Sequence, residues 1–126
     1  MNNRDRTILV VGASANPQKY GRIILANLIS RGFDAVPINP KEKKILEKKV
    51  YTSISEYVKH NPNKKIEFVD LVLQPEITLK VLEEISKLGI RKVWLQPGSE
   101  SEEAIEFCKE NGIKCVSNMC VMEDLK

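Results

Sequence analysis

A chain of 126 residues, 42% hydrophobic and 29% charged, can bury one substantial core and has the make-up of an ordinary globular protein. Its apolar runs are only a few residues long, which excludes a membrane-spanning helix. Met1-Asn2-Asn3-Arg4-Asp5-Arg6 leads into no apolar signal core, so no membrane partner is expected and the cytoplasm is the expected compartment. The net charge of +3, from 20 Lys and Arg against 17 Asp and Glu, is too mild and too dispersed to argue for a nucleic-acid partner.

Strand-like and helix-like segments alternate along the chain. The first strand, Thr7-Ile8-Leu9-Val10-Val11, runs into the small-residue turn Gly12-Ala13-Ser14-Ala15. A first helix over 19–31 carries Ile23, Ile24, Leu28 and Ile29 and stops at Gly32, a favoured helix-ending residue. The second strand, 35–38, contains Pro37 and closes at Asn39-Pro40. A proline inside a strand suits an edge pairing, because it cannot donate to the ladder. Lys41, Lys43, Lys44, Lys48 and Lys49 then crowd into nine residues, a segment read mainly as solvated surface. Ser53 with Glu56 three residues on forms a capping box for a short helix over 53–59.

A third strand over 68–73 is broken by Gln74-Pro75, and a third helix follows over 76–88. The fourth strand, Lys92-Val93-Trp94-Leu95, stops at Gln96-Pro97-Gly98. Ser99 or Ser101 caps a helix over 102–111, and 113–116 is the fifth strand. Strands separated by helices of this length need right-handed crossovers and a parallel sheet covered on both faces. The expected fold is therefore α/β: a Rossmann-like three-layer α/β/α domain with a five-stranded parallel sheet, order 3-2-1-4-5, and one domain over 1–126. Trp94 belongs to the core.

Ligands of such sheets bind beyond the carboxyl ends of the strands, at the switch point of strand order. The loops there are Gly12-Ala13-Ser14, Asn39-Pro40-Lys41, Gln74-Pro75, Gln96-Pro97-Gly98 and 117–120. A small-residue turn before a helix lets backbone N–H groups and the helix N-terminus approach an anion. The spacing departs from the dinucleotide fingerprint, since Ser14 stands where the second glycine belongs. An NAD site also wants a carboxylate at the tip of the second strand. Lys41 is there instead, which favours a phosphorylated ribose, as in NADP or coenzyme A. Lys19 adds a cation at the mouth of the first helix, beside Tyr20. Thr78 is read first as a helix cap and second as a ligand contact.

Cys108, Cys115 and Cys120 are odd in number and lack C-x-x-C spacing, so neither a disulfide framework nor a zinc site is indicated. The lone His60 lies in a polar stretch. It offers no partner for metal or Ser–His–Asp chemistry.

Gly12-Ala13-Ser14-x-x-Pro17-x-Lys19-Tyr20-Gly21, Asn39-Pro40-Lys41, Pro75-Glu76-Ile77-Thr78, Val93-Trp94-Leu95-Gln96-Pro97-Gly98 and Cys120-Val121-Met122 together resemble the small stand-alone CoA-binding domain proteins. These are relatives of the N-terminal domain of succinyl-CoA synthetase α subunits, and the resemblance covers about residues 5–122. It implies a domain that binds coenzyme A or a short acyl-CoA. Gly12, Ala13 and Ser14 would hold the pyrophosphate, with Lys19 and Tyr20 nearby. Asn39, Pro40 and Lys41 would face the ribose phosphate and adenine end. Pro75, Thr78, Gln96 and Gly98 would line the middle of the groove, and Cys120 would lie near the end of the pantetheine arm. The synthetase's phosphohistidine domain has no counterpart here and no catalytic constellation is visible. The expectation is thus a binding, carrier or regulatory module, the alternative being an NADP-dependent oxidoreductase-type domain. Apolar positions on outer helices are compatible with a homodimer or a protein partner.

Overall fold

Every residue of β1 (Thr7–Val11) is buried, and β1 accordingly takes a central place, paired in parallel with β2 (Asp34–Ile38) on one side and β5 (Ile66–Leu71) on the other. β6 (Lys92–Leu95) and β7 (Lys114–Val116) continue beyond β5, so that the sheet runs β2-β1-β5-β6-β7, all parallel. The computed structural model describes residues 3–125. Met1 and Asn2, part of the N-terminal segment read above, and Lys126 lie outside the described residues.

Tyr51 adds one parallel bridge to Ile38 outside β2. The five-stranded parallel Rossmann-like sheet foreseen is present, and with that bridge counted as a third position it fits the 3-2-1-4-5 pattern with β7 beyond; in the strands foreseen from the sequence the order is 2-1-3-4-5. The segment foreseen as the third strand is therefore β5, directly beside β1. Pro37 sits where its missing N–H costs nothing. Its carbonyl points outward and accepts from Tyr51 N–H at 3.2 Å, and the N–H and C=O of a strand residue point the same way.

Side-chain alternation along the strands sorts the core into two faces. Ile8, Val10, Phe68 and Trp94 pack against Ile24, Leu25 and Leu28 of α1 (Tyr20–Ser30) and Val121 of α5 (Val121–Asp124). Trp94 is core as expected, its Nε1 donating to the Met119 carbonyl at 2.7 Å. Leu9, Val11, Val69, Leu71 and Val93 pack against α2 (Ile54–His60), α3 (Pro75–Lys87) and α4 (Glu102–Glu110). Arg31, just past α1, donates to the carbonyls of Val121 and Leu125 and pins α5. No described helix is long and apolar enough to cross a membrane.

Both capping serines foreseen act as such, Ser53 accepting from Glu56 N–H at 3.1 Å and Ser101 from Ala104 N–H at 3.0 Å. Ser99, the other candidate, instead accepts from Leu73 N–H at 3.0 Å and ties the loop after β5 to the loop after β6. The basic connection holds a small antiparallel hairpin, β3 (Lys44–Ile45) with β4 (Lys48–Lys49). Its two turn residues, Leu46 and Glu47, both have positive φ, the geometry that matches strand twist in two-residue hairpins. Buried Ile45 and Val50 hold it on the core. His60 is the last residue of α2 and exposed.

Candidate functional site

The switch point falls between β1 and β5, and the chain there is packed backbone against backbone. Gly12 has φ +99°, and a Cβ on it would stand 2.2 Å from the Val72 carbonyl oxygen. Gly21, in the first turn of α1, would place a Cβ 2.0 Å from the Gly12 carbonyl oxygen. The two glycines thus let the β1 turn, the end of β5 and the start of α1 meet. The Cβ direction at Gly12 is into the protein, so a larger side chain there unseats the turn rather than shielding a ligand from it.

Ser14 Oγ accepts from Asn16 N–H and Asn16 Oδ1 from Gln18 N–H, each at 3.0 Å, which coils the loop into α1. Lys19 is the N-cap, with no side-chain cap bond and no acidic residue in the first turn. The first N–H groups of α1 have no intrahelical acceptor, and the helix dipole adds positive potential there. Ala13 is wholly buried, and its carbonyl accepts from Asn39 Nδ2 at 2.8 Å.

A cleft of about 430 Å³ opens beside this turn. Val11, Ile38, Ile54, Leu73, Ile77 and Val81 give it apolar walls, while Gly12, Asn39, Pro40, Lys41, Thr52, Ser53 and Glu84 complete its lining. Asn39 Oδ1 accepts from the N–H groups of Lys41 and Glu42 at 2.8 and 3.2 Å. Both ends of that amide are engaged, so Asn39 clamps the β2 tip to the β1 turn and thereby sets the place of Lys41. Lys41 itself is exposed at the cleft and makes no ion pair among the described residues. Lys44 and Lys48, by contrast, pair with Glu47 and Asp34. Glu84 Oε2 accepts from both N–H and Oγ of Ser55, at 2.9 and 2.5 Å, holding the two helical walls together.

A second cluster lies on the other face of the sheet, at the ends of β5 and β6. Tyr20 Oη and Cys120 Sγ are 2.9 Å apart. That contact is the main reason the Tyr20 phenol is pushed up to about 12, with burial and the charges of Cys120, Glu123 and Asp70 adding to it. Gln96 is fully buried; its Nε2 donates to Asp70 Oδ1 at 2.5 Å and its Oε1 accepts from Val121 N–H at 3.4 Å. Burial pushes the Asp70 carboxyl up to about 7, against the lowering effect of the Gln96 amide. Asp70 Oδ2 is buried without a hydrogen-bond partner.

Of the residues singled out from the sequence, Gly12, Asn39, Pro40 and Lys41 meet at the cleft. Tyr20, Cys120 and Gln96 fall in the second cluster, with Ser14 and Lys19 on the loop that enters α1. Gly98 is exposed just past β6, and Pro75 lies in a groove shared with Ser101 and Glu103. Thr78 is not a cap: it is fully buried on the inner side of α3, and its Oγ1 has no partner. The cleft residues of α3 escaped the sequence reading, although Ile77, Val81 and Glu84 share one helical stripe and Ile77 is an exposed large apolar residue. Asp70 was also passed over, its only signal being a lone carboxylate within an apolar strand.

A glycine turn, a helix N-terminus, a cationic strand tip and an apolar cleft gathered at the switch point of a parallel sheet define the Rossmann-like class of α/β protein. The family model of the CoA binding domain matches residues 6–126, and the chain belongs to that family. A conserved hypothetical protein from Pyrococcus furiosus is 39% identical, with a TM-score of 0.88 over 94% of this chain and 98% of that one. The uncharacterized protein YneT of Bacillus subtilis is 26% identical over 118 residues, 94% of this chain and 84% of its own. Acetate–CoA ligase [ADP-forming] II of Archaeoglobus fulgidus is 29% identical over 121 residues, and the match spans only 17% of that ligase.

Proposed function

We propose that the chain, acting as one domain, binds coenzyme A or a short acyl-CoA across the carboxyl ends of the sheet and serves as a binding, carrier or regulatory module. The observation that carries this is Lys41: its backbone is held by Asn39 at the mouth of an apolar cleft and its exposed ammonium makes no ion pair among the described residues, in a family of CoA-binding domains. The apolar walls suit an adenine ring. Lys41 suits the phosphate on its ribose, and the α1 N-terminus with Lys19 suits the pyrophosphate. From there the pantetheine arm would pass toward Gly98, Gln96 and Cys120. The kinship with a ligase that acts on CoA supports the same ligand.

Lys41→Ala tests the phosphate role. Loss of a charge-assisted hydrogen bond of about 1.5–3 kcal/mol should weaken CoA about ten- to a hundred-fold by calorimetry at low salt, and less as salt screens the exposed pair. Dephospho-CoA should bind the variant and the wild type alike. Equal losses for both ligands would remove Lys41 from that role.

A further inference from the structure

Between β2, the β3–β4 hairpin and α2 lies a polar cavity of about 320 Å³ that shares no lining residue with the Lys41 cleft. Tyr51 and Tyr57 form one wall, packed edge to face with ring centroids 5.1 Å apart. Only 3% of Tyr57 is exposed, and a buried tyrosine hydroxyl ordinarily finds a hydrogen-bond partner. The Tyr57 Oη has none among the described residues, yet it is not among the atoms sealed in the core, so it opens on the cavity that its residue lines. Burial, with Asp34 and Tyr51 adding to it, pushes this phenol up to about 12, and it keeps its proton as a donor. Tyr51 Oη accepts from Asn61 Nδ2 at 3.4 Å, which leaves its own proton free to donate. Lys48, Lys49 and Lys64 bring three ammoniums to the same walls. Lys49 stands 5.0 Å from the Tyr51 ring centroid and makes no ion pair among the described residues. Lys48 and Lys64 flank Asp34 at 3.7 and 3.6 Å, beyond hydrogen-bond length. Asp34 Oδ2 already accepts from Thr7 Oγ1 at 2.8 Å, and Glu47, the other carboxylate of the lining, pairs with Lys44 at 3.4 Å.

We propose that this cavity is a second ligand site, for a small organic dianion, either a phosphate monoester or a dicarboxylate. Its oxygens accept from the Tyr57 and Tyr51 hydroxyls and from the ammoniums of Lys49 and Lys64. Donors outnumber acceptors on these walls, and a buried polar group left without a partner calls for a ligand or water to take it. Two negative charges suit the site better than one: three ammoniums face it, and with Glu47 committed to Lys44 only Asp34 opposes them. The tyrosine wall lowers the local dielectric, which strengthens each charged contact. Nothing in this site depends on the CoA reading above.

Calorimetry of the full chain at low salt with glycerol phosphate, malonate and acetate tests this. At least one of the two dianions should saturate a single site with a dissociation constant under about 1 mM, and the monoanion acetate should bind about ten-fold or more weakly. A preference for glycerol phosphate assigns the phosphate class and a preference for malonate the dicarboxylate class. Tyr57→Phe keeps the packed ring and loses only the hydroxyl, and should weaken the preferred dianion about ten-fold. Lys49→Gln changes an exposed side chain and so reads the same site without touching the core; it should weaken binding about three-fold. Lys41→Ala should leave it unchanged. No saturable binding of either dianion, acetate bound as tightly, or affinity untouched by both Tyr57→Phe and Lys49→Gln would each overturn the proposal. Binding removed by Lys41→Ala would also overturn it, by placing the anion in the cleft.

Discussion

Gly21→Ala should lower the melting temperature by about 5–10 °C, although alanine is the better helix former. In an exposed helix the exchange would gain about 1 kcal/mol. Here the added methyl would lie 2.0 Å from the Gly12 carbonyl oxygen and 3.1 Å from the Ala13 Cα, and neither backbone atom can turn away as a flexible side chain could. Overpacking of this kind costs about 1–3 kcal/mol, or more when backbone must move. Each kcal/mol is about 4 °C in a chain of this size. Gly12→Ala should cost more, since the 2.2 Å approach to Val72 O is joined by a φ of +99° that an L-residue adopts only under strain of about 1–3 kcal/mol. Gly98→Ala, with φ +95° but open space around the position, should show the strain alone. Thermal melts of the three variants give the order Gly12, Gly21, Gly98 in declining effect. A Gly21→Ala chain as stable as wild type would mean that the β1 turn and α1 do not meet.

Asp70 should make the wild-type chain less stable as pH rises from about 4 to 7. Its carboxyl titrates near 7 in the folded chain because it is buried, against about 3.9 when unfolded. Within that window the folded chain keeps a proton that the unfolded chain has lost. By linkage the stability then falls by a little over 1 kcal/mol per pH unit, up to about 4 kcal/mol in all. Carboxylates such as Glu56, lowered by its hydrogen bonds to Thr52, act in the opposite sense, but equally in an Asp70→Asn variant. Asparagine keeps an oxygen for the Gln96 amide. The difference in urea-unfolding free energy between wild type and Asp70→Asn should therefore slope against wild type with rising pH and level off above about 7. A difference that stays flat from pH 4 to 7 would contradict a buried, proton-holding Asp70.

The sheet, the glycine turn and the cationic tip were legible because each is local. Strand runs alternate with helical runs, small residues mark the turn, and a lysine stands where a dinucleotide site needs an acid. Ser53 and Ser101 were legible for the same reason, since a cap bonds three residues along its own chain. The β3–β4 hairpin was hidden because Leu46-Glu47 carries none of the Asn-Gly chemistry that announces such a turn. What the sequence could not reveal is long-range pairing. Asn39 reads as a ligand contact with no sign that its amide also binds the Ala13 carbonyl, and Gln96 reads as a groove residue with no sign that it also binds Asp70. Tyr20 and Cys120 meet across 100 positions. Thr78 has the type and place of a cap, but the inward stripe it shares with Leu82 and Ile85 decides its burial. The order of strands turned on Tyr51, a single bridging residue that no period marks.

Calorimetric titration of the wild-type chain with CoA, dephospho-CoA and NADP tests the central claim most directly. CoA should bind about ten-fold or more tightly than dephospho-CoA, by the worth of one charge-assisted contact, and more tightly than NADP. Tighter binding of NADP than of CoA, or no measurable binding of CoA, would contradict it.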